Sequence, residues 1–217
     1  MVEHITSASL SADRSLEADV RGEGPGAAVT VRLRRGQELL GEVTLPYPKA
    51  GLAGGHFVLS PSQHLAVLSI FSGQSEEGYE LFRLNDSIAR ITGLPYQVGE
   101  FASFCFSSDE ALLVMALPFR GSEWWLPWDE GEAHADGQGR FTFGFGQVRV
   151  HDIAKGDVSV HEMQLSAPAT WQPSRVEYDP DLRPTFLAAD RLQLRVPWGP
   201  IVLPFPPPMP VVLPVDG

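Results

Sequence analysis

Four stretches of the chain, far apart from one another, share one pattern: "SLSADRSLEADV" (Ser9 to Val20), "VLSPSQHLAVLS" (Val58 to Ser69), "CFSSDEALLVMA" (Cys105 to Ala116) and "EYDPDLRPTFLA" (Glu177 to Ala188). Each has an apolar residue, then Ser or Asp, a short polar turn, and an apolar run. Short polar side chains bond to nearby backbone and stabilise a tight turn, while the flanking apolar residues enter a pleat, so each stretch reads as one strand ending and the next beginning. The marker Ser or Asp stands at 11, 60, 107 and 179, giving spacings of 49, 47 and 72 residues. The last interval is one regular step plus about 25 residues, so an insertion conceals the period.

Strand-like segments fill each interval. They are "LEADVRG", "AAVTVRL" and "ELLGEVTL" after the first marker, and "LAVLSIF", "GYELFRL" and "IARITGL" after the second. The third is followed by "ALLVMAL", "GQVRVHD" and "VSVHEMQL", the fourth by "PTFLAAD", "RLQLRVP" and "GPIVLPF". With the strand before each marker, this makes four units of about four antiparallel strands. "ALLVMAL" is apolar on both faces, as an inner strand is, whereas the alternation in "AVTVRL" and "QVRVHD" predicts half-buried outer strands. The chain has 21 Gly and 19 Pro, which cut it into short segments and oppose long helices. The expected fold class is all-β: residues 1–205 form one repeat-built domain with an insertion at 118–144, and 206–217 form a Pro-rich strap.

At Leu59-Ser60-Pro61-Ser62, Phe106-Ser107-Ser108-Asp109, Tyr178-Asp179-Pro180-Asp181 and Leu10-Ser11-Ala12-Asp13 the chain resembles β-propeller proteins of the WD-repeat and TolB-like kind. In those families a turn of the form F-S-P-D-G joins the first two strands of each blade. The resemblance implies a small four-bladed propeller; a half-propeller completed by dimerisation and a pair of packed sheets are the alternatives. The usual turn glycine is absent from all four copies, and no Trp-Asp pair closes a blade.

Lys and Arg number 16 against 27 Asp and Glu, a formal charge of −11, so the field around the molecule repels nucleic acid and favours a protein partner with a basic surface. The same charge serves solubility. Cys105 is the sole cysteine and lies in the apolar run "FASFCFSS", where it reads as a small buried hydrophobe. The first twenty residues lack a basic start and an apolar core, and no run approaches the roughly 18 apolar residues of a membrane span. A soluble, cytoplasmic protein is expected, with no membrane association.

The insertion contains "GSEWWLPWDEGEAHADGQGR", Gly121 to Arg140, with five acids and one base. Trp124, Trp125 and Trp128 are residue types that anchor interfaces, and long loops on rigid scaffolds carry function. The competing reading folds these rings back over the sheet against Leu126 and Pro127. Asp129, Glu130, Glu132, His134 and Asp136 lack the spacing of a calcium loop, and one histidine makes no zinc site, so a solvated acidic loop is expected and no metal or cofactor.

Catalytic motifs are not met. "SGQSEEG" is not G-x-S-x-G, and "HEMQL" lacks the second histidine of H-E-x-x-H. "RGEGPG" has no Lys-Ser/Thr and no following helix. Ser75, Glu76 and Glu77 read as a polar turn, and His64, His151 and His161 as paired surface histidines. "LPFPPPMPVVLPVDG" holds six prolines, too many for a central strand, and is expected to lie as a strap over a sheet edge or to serve as a polyproline ligand. The reading that follows is a non-catalytic protein-interaction module contacting its partner through the acidic Trp loop; an inhibitor or antitoxin-type binder is one instance. The alternatives are an enzyme with carboxylates and histidines converging on the axis of the repeats, and a carbohydrate or small-molecule binder stacking ligand on the tryptophans. The oligomeric state is left open.

Overall fold

The marker serines build the turns in the way their chemistry dictates. In the computed structural model, Ser60 Oγ accepts the Leu65 N–H at 3.0 Å and Ser107 Oγ accepts the Leu112 N–H at 3.0 Å, each bond joining the end of one strand to the start of the next. Ser11 Oγ accepts the Arg14 N–H at 3.2 Å in a turn two residues shorter. The structure describes residues 2–22, 27–46, 52–72, 76–98, 102–118, 134–135, 140–168, 182–196 and 199–214. The fourth marker, at Asp179, lies outside them.

The protein is all-β, with four small open sheets and no helix among the described residues. It divides into two compact units, Met1–Gly99 and Glu100–Gly217. In the first, β1 (Val2–Ser9), β2 (Arg14–Arg21), β3 (Ala28–Arg35) and β4 (Glu38–Pro46) form one antiparallel meander, and β5 (Leu52–Leu59), β6 (Leu65–Ser72), β7 (Glu76–Leu84) and β8 (Ile88–Val98) form another. Each is the four-stranded unit expected from the repeat. The two sheets enclose a core of Leu16, Val31 and Leu33 from one and Leu68, Ile70 and Phe82 from the other, all 1% exposed or less. β1 approaches β5 closely: a Cβ at Gly55 would fall 3.0 Å from the Ile5 methyl on β1 and 2.7 Å from the Ser69 carbonyl oxygen on β6, so only glycine fits there.

In the second unit, β9 (Ser103–Phe106), β10 (Leu112–Pro118), β12 (Arg140–Asp152) and β13 (Asp157–Pro168) are antiparallel neighbours, and β14 (Thr185–Ala188), β15 (Arg191–Val196) and β16 (Gly199–Pro204) form a three-stranded sheet. The strand expected before the fourth marker lies outside the described residues. Two short strands join the larger sheet: β11 (His134–Ala135) pairs with β12, and β17 (Val211–Pro214), from the Pro-rich C-terminus, pairs in parallel with β13 at its outer edge. The core between the two sheets includes Val148, Met163, Leu165, Leu192, Leu194, Val211 and Leu213, and Cys105 packs against it.

Two strands differ from expectation. "AVTVRL" and "QVRVHD" alternate in sequence, yet β3 and β12 are inner strands, and Thr30, Arg32, Arg149 and His151 are buried. Side-chain partners on neighbouring positions account for three of these, and Thr30 Oγ1 lies 3.4 Å from Thr44 Oγ1. Arg32 bonds both Asp19 and Glu42, and Arg149 bonds Gln147, so polar residues occupy a face that alternation alone assigns to solvent. β12 also begins at Arg140, ahead of the expected Gly146, because the run "FTFGF" continues the strand through two glycines to a bulge at Gly144/Gly146.

Candidate functional site

The larger sheet of the second unit is staggered. β10 covers β12 only from Gly146 to Asp152, with Pro118 opposite Gly146. From Arg140 to Gly144, β12 runs on beyond the end of β10 as a ribbon with β13, where Arg140 pairs with Pro168 and Gly144 with Gln164. On this distal half the free sides are occupied by the two short strands. His134 lies opposite Thr142 and Ala135 opposite Phe141 on one side, while Val211 to Pro214 lie opposite Met163 to Ser166 on the other. β11 and β17 therefore flank the same end of one ribbon, three strand spacings apart, about 14 Å.

Of the residues singled out in sequence, His134 is placed on β11, directly beside β12. Trp124, Trp125, Trp128, Asp129, Glu130, Glu132 and Asp136 lie outside the described residues. Among the described residues no three His, Cys, Asp or Glu side chains gather as a metal site would require, and no helix is long and apolar enough to cross a membrane.

The strap is fixed from both sides. Its Val211 and Leu213 are fully buried, with Val212 between them 46% exposed, the alternation of a strand with one face on the core. Upstream, the ring Nδ1 of His161 donates to the Pro208 carbonyl at 3.3 Å, and Nε2 lies 3.1 Å from Ser159 Oγ. His161 is buried, not at the surface as its sequence context predicts.

His151 departs further: it is 1% exposed, its Nδ1 has no hydrogen-bond partner among the described residues, and burial lowers its pKa below the ordinary imidazole value. Beside it on the same face, Arg149 is 7% exposed and donates from Nε and Nη2 to the side-chain oxygen Oε1 of Gln147 at 3.1 and 2.8 Å. The Gln147 amide donates in turn to Glu162 at 2.9 Å. Sequence reasoning passed over Arg149, whose place in an alternating strand marked it as half-solvated.

No protein-family model matches the chain, and no curated protein matches it. Among solved structures it is similar to apo prolyl oligopeptidase B from Galerina marginata, at 9% identity and a TM-score of 0.43 over 94% of this chain and 27% of that one. An uncharacterised protein from Listeria monocytogenes EGD-e matches at 10% identity and a TM-score of 0.36, over 94% of this chain and 66% of that one. Cobalt-substituted ACO from Synechocystis matches at 11% identity and a TM-score of 0.32, over 93% and 58%.

Proposed function

We propose that the chain is a non-catalytic protein-interaction module in which the segment Gly121 to Arg140 is the principal contact and the partner presents a basic surface. The observation that carries this reading is the extension of the β12–β13 ribbon past the end of β10, with β11 returning the segment to the ribbon. A hydrogen-bonded two-stranded base of this kind lowers the entropic cost of presenting a recognition loop. The segment's charge, five acids against one base, supports steering toward a cationic surface.

The repeated serine-built turns and the four sheets support a propeller-like arrangement of blades, as the resemblance implies. The single cysteine, with a thiol pushed up to about 12 by burial, suits a reducing compartment such as the cytoplasm.

The test is capture from source-cell extract by the intact chain and by a variant in which 121–140 is replaced by a short Gly-Asn turn, both first shown to have the same melting temperature. The reading expects a partner held by the intact chain, lost by the variant and released as salt rises. Equal retention by both chains would remove the loop from the account.

A further inference from the structure

The larger sheet of the second unit has a face turned away from its core, and three rows cross it. Leu113, His151 and Val158 form one, Met115, Arg149 and Val160 the next, and Leu117, Gln147 and Glu162 the third, each running from β10 through β12 to β13. On the β10 side this face is closed: Leu113, Met115 and Leu117 are 2% exposed or less. Over β13 it is open, with Val160 40% exposed, Val158 half-buried and Glu162 exposed.

Along the boundary between closed and open halves runs the polar stripe of β12. A guanidinium cannot shed its charge, and a buried one ordinarily meets a carboxylate. Arg149 has none within ion-pair distance among the described residues; its fork is filled by the neutral carbonyl of Gln147, and Glu162 reaches it only through the Gln147 amide. Two residues further along β12, the His151 Nδ1 is buried with no partner among the described residues. Two buried polar groups on one face, one carrying an uncompensated positive charge and one unsatisfied, are what a site for a single negative charge looks like when that charge is elsewhere.

We propose that the Arg149–His151 stripe binds a short aliphatic monocarboxylate, with its oxygens on the Arg149 fork and the His151 Nδ1–H and its alkyl body over Val158 and Val160. The planar fork of arginine matches a carboxylate's two oxygens. Gln147 gives up the fork when the ligand enters and keeps its bond to Glu162. The Glu162 carboxylate, at the end of the stripe, repels a second negative charge and so selects monoanions over phosphate or dicarboxylates. The exposed Val160 and half-buried Val158 supply an apolar floor that rewards an alkyl chain over bare acetate.

The experiment is an NMR titration of the whole chain at fixed ionic strength, following the His151 ring and Arg149 Nε–H signals. The probes are sodium butyrate, sodium acetate, the neutral butyramide and sodium chloride. Butyrate is expected to give saturable shifts at both residues and to bind more tightly than acetate, and butyramide and chloride to give none. Arg149→Met weakens butyrate by at least about tenfold, the loss of one charge-assisted bond. Glu162→Gln tightens it severalfold by removing the repelling charge. Shifts that fail to saturate, that appear equally with butyramide or chloride, or that weaken in Glu162→Gln overturn the proposal. The last two outcomes are read in chains that keep Arg149, so they decide the matter even where Arg149→Met does not fold.

Discussion

Gln63 and Glu110 occupy the same place in two turns built alike. Each follows its marker serine by three residues, each donates its N–H to that serine's carbonyl at 2.9 Å, and each has a positive φ, 61° and 57°. This is the position at which the resembling families carry the turn glycine. Left-handed backbone costs an ordinary L-residue about 1–2 kcal/mol, which glycine avoids at some entropic cost of its own. Gln63→Gly is therefore expected to stabilise the protein by about 0.5–1 kcal/mol in urea denaturation. Glu110→Gly, at an equivalent φ in an equivalent turn, is expected to gain a similar amount. A loss of stability in Gln63→Gly would show that the turn carries no strain there.

The serines themselves are predicted to matter more than their exposure in sequence suggests. Ser60 is 2% exposed, and Ser60→Ala leaves the Leu65 N–H without its 3.0 Å acceptor, at an expected cost of about 1–2 kcal/mol. Ser107→Ala removes the same bond to Leu112 and also the 2.6 Å bond that Ser107 Oγ–H donates to Asp109. That bond, with the Ala111 N–H, holds the Asp109 carboxyl below its ordinary pKa. Its titration in Ser107→Ala should move up toward the ordinary carboxylate range, and an unchanged titration would reassign the cause to the backbone.

Cys105 gives a chemical measure of packing. Burial pushes its thiol up to about 12. At pH 8 the thiolate is then roughly one part in ten thousand, so alkylation by iodoacetamide is expected to run about a thousandfold slower than for a free cysteine. The rate should rise to that of a free thiol in denaturant. Fast labelling of the native chain would mean that the strand β9 opens on the timescale of the reaction.

Acid sensitivity is predicted at His151. Its folded pKa lies below the ordinary imidazole value of about 6.5, so the unfolded chain binds the proton more readily. Stability from this residue is thus full above about pH 6.5 and falls as pH drops from there toward the folded value. Glu80 acts in the opposite sense. Its own burial, the larger effect, raises its carboxyl despite the pull of Arg90, so its contribution is present in acid and lost as pH rises. Comparing the urea midpoints of the wild type and His151→Gln at pH 7.5 and pH 5.5 cancels Glu80, which both chains share. The wild type should lose more stability between the two pH values, and equal losses would show His151 to be solvated.

What was legible in the sequence was the part governed by local chemistry. The polar turn residues at 11, 60 and 107 marked real strand junctions, and the apolar run from Leu112 was rightly an inner strand, because both features act within a few residues of themselves. Polar positions on inner strands were misread, since alternation reports the polarity of a side chain and not whether a neighbouring strand supplies its partner. Arg32 between Asp19 and Glu42 looks the same in sequence as an arginine facing water. The burial of His161 depended on a carbonyl 47 residues further along the chain, beyond the reach of any short pattern. Of the candidate site, the extension of β12 back to Arg140 was not legible, because the glycines in "FTFGFG" interrupt the apolar period that would have extended the strand.

The strap offers the most direct test of how an edge is closed. β17 has only four residues, bounded by prolines, and it covers the outer edge of β13 from Met163 to Ser166. An edge left bare there would expose backbone donors and acceptors for pairing with other chains. If the strap is held by its core-facing side chains, Leu213→Ala, at a fully buried position, should cost about 2–4 kcal/mol, and Val212→Ala, at a 46% exposed one, less than about 0.5 kcal/mol. Chains ending at Phe205 lose the ladder, the burial and the His161–Pro208 bond together. In these, the amides of residues 163–166 are expected to exchange with solvent faster than in the whole chain, and the protein to self-associate at concentrations where the whole chain does not. Equal, small effects of Leu213→Ala and Val212→Ala, with unchanged exchange in the shortened chain, would show that β13 is protected by something other than the strap.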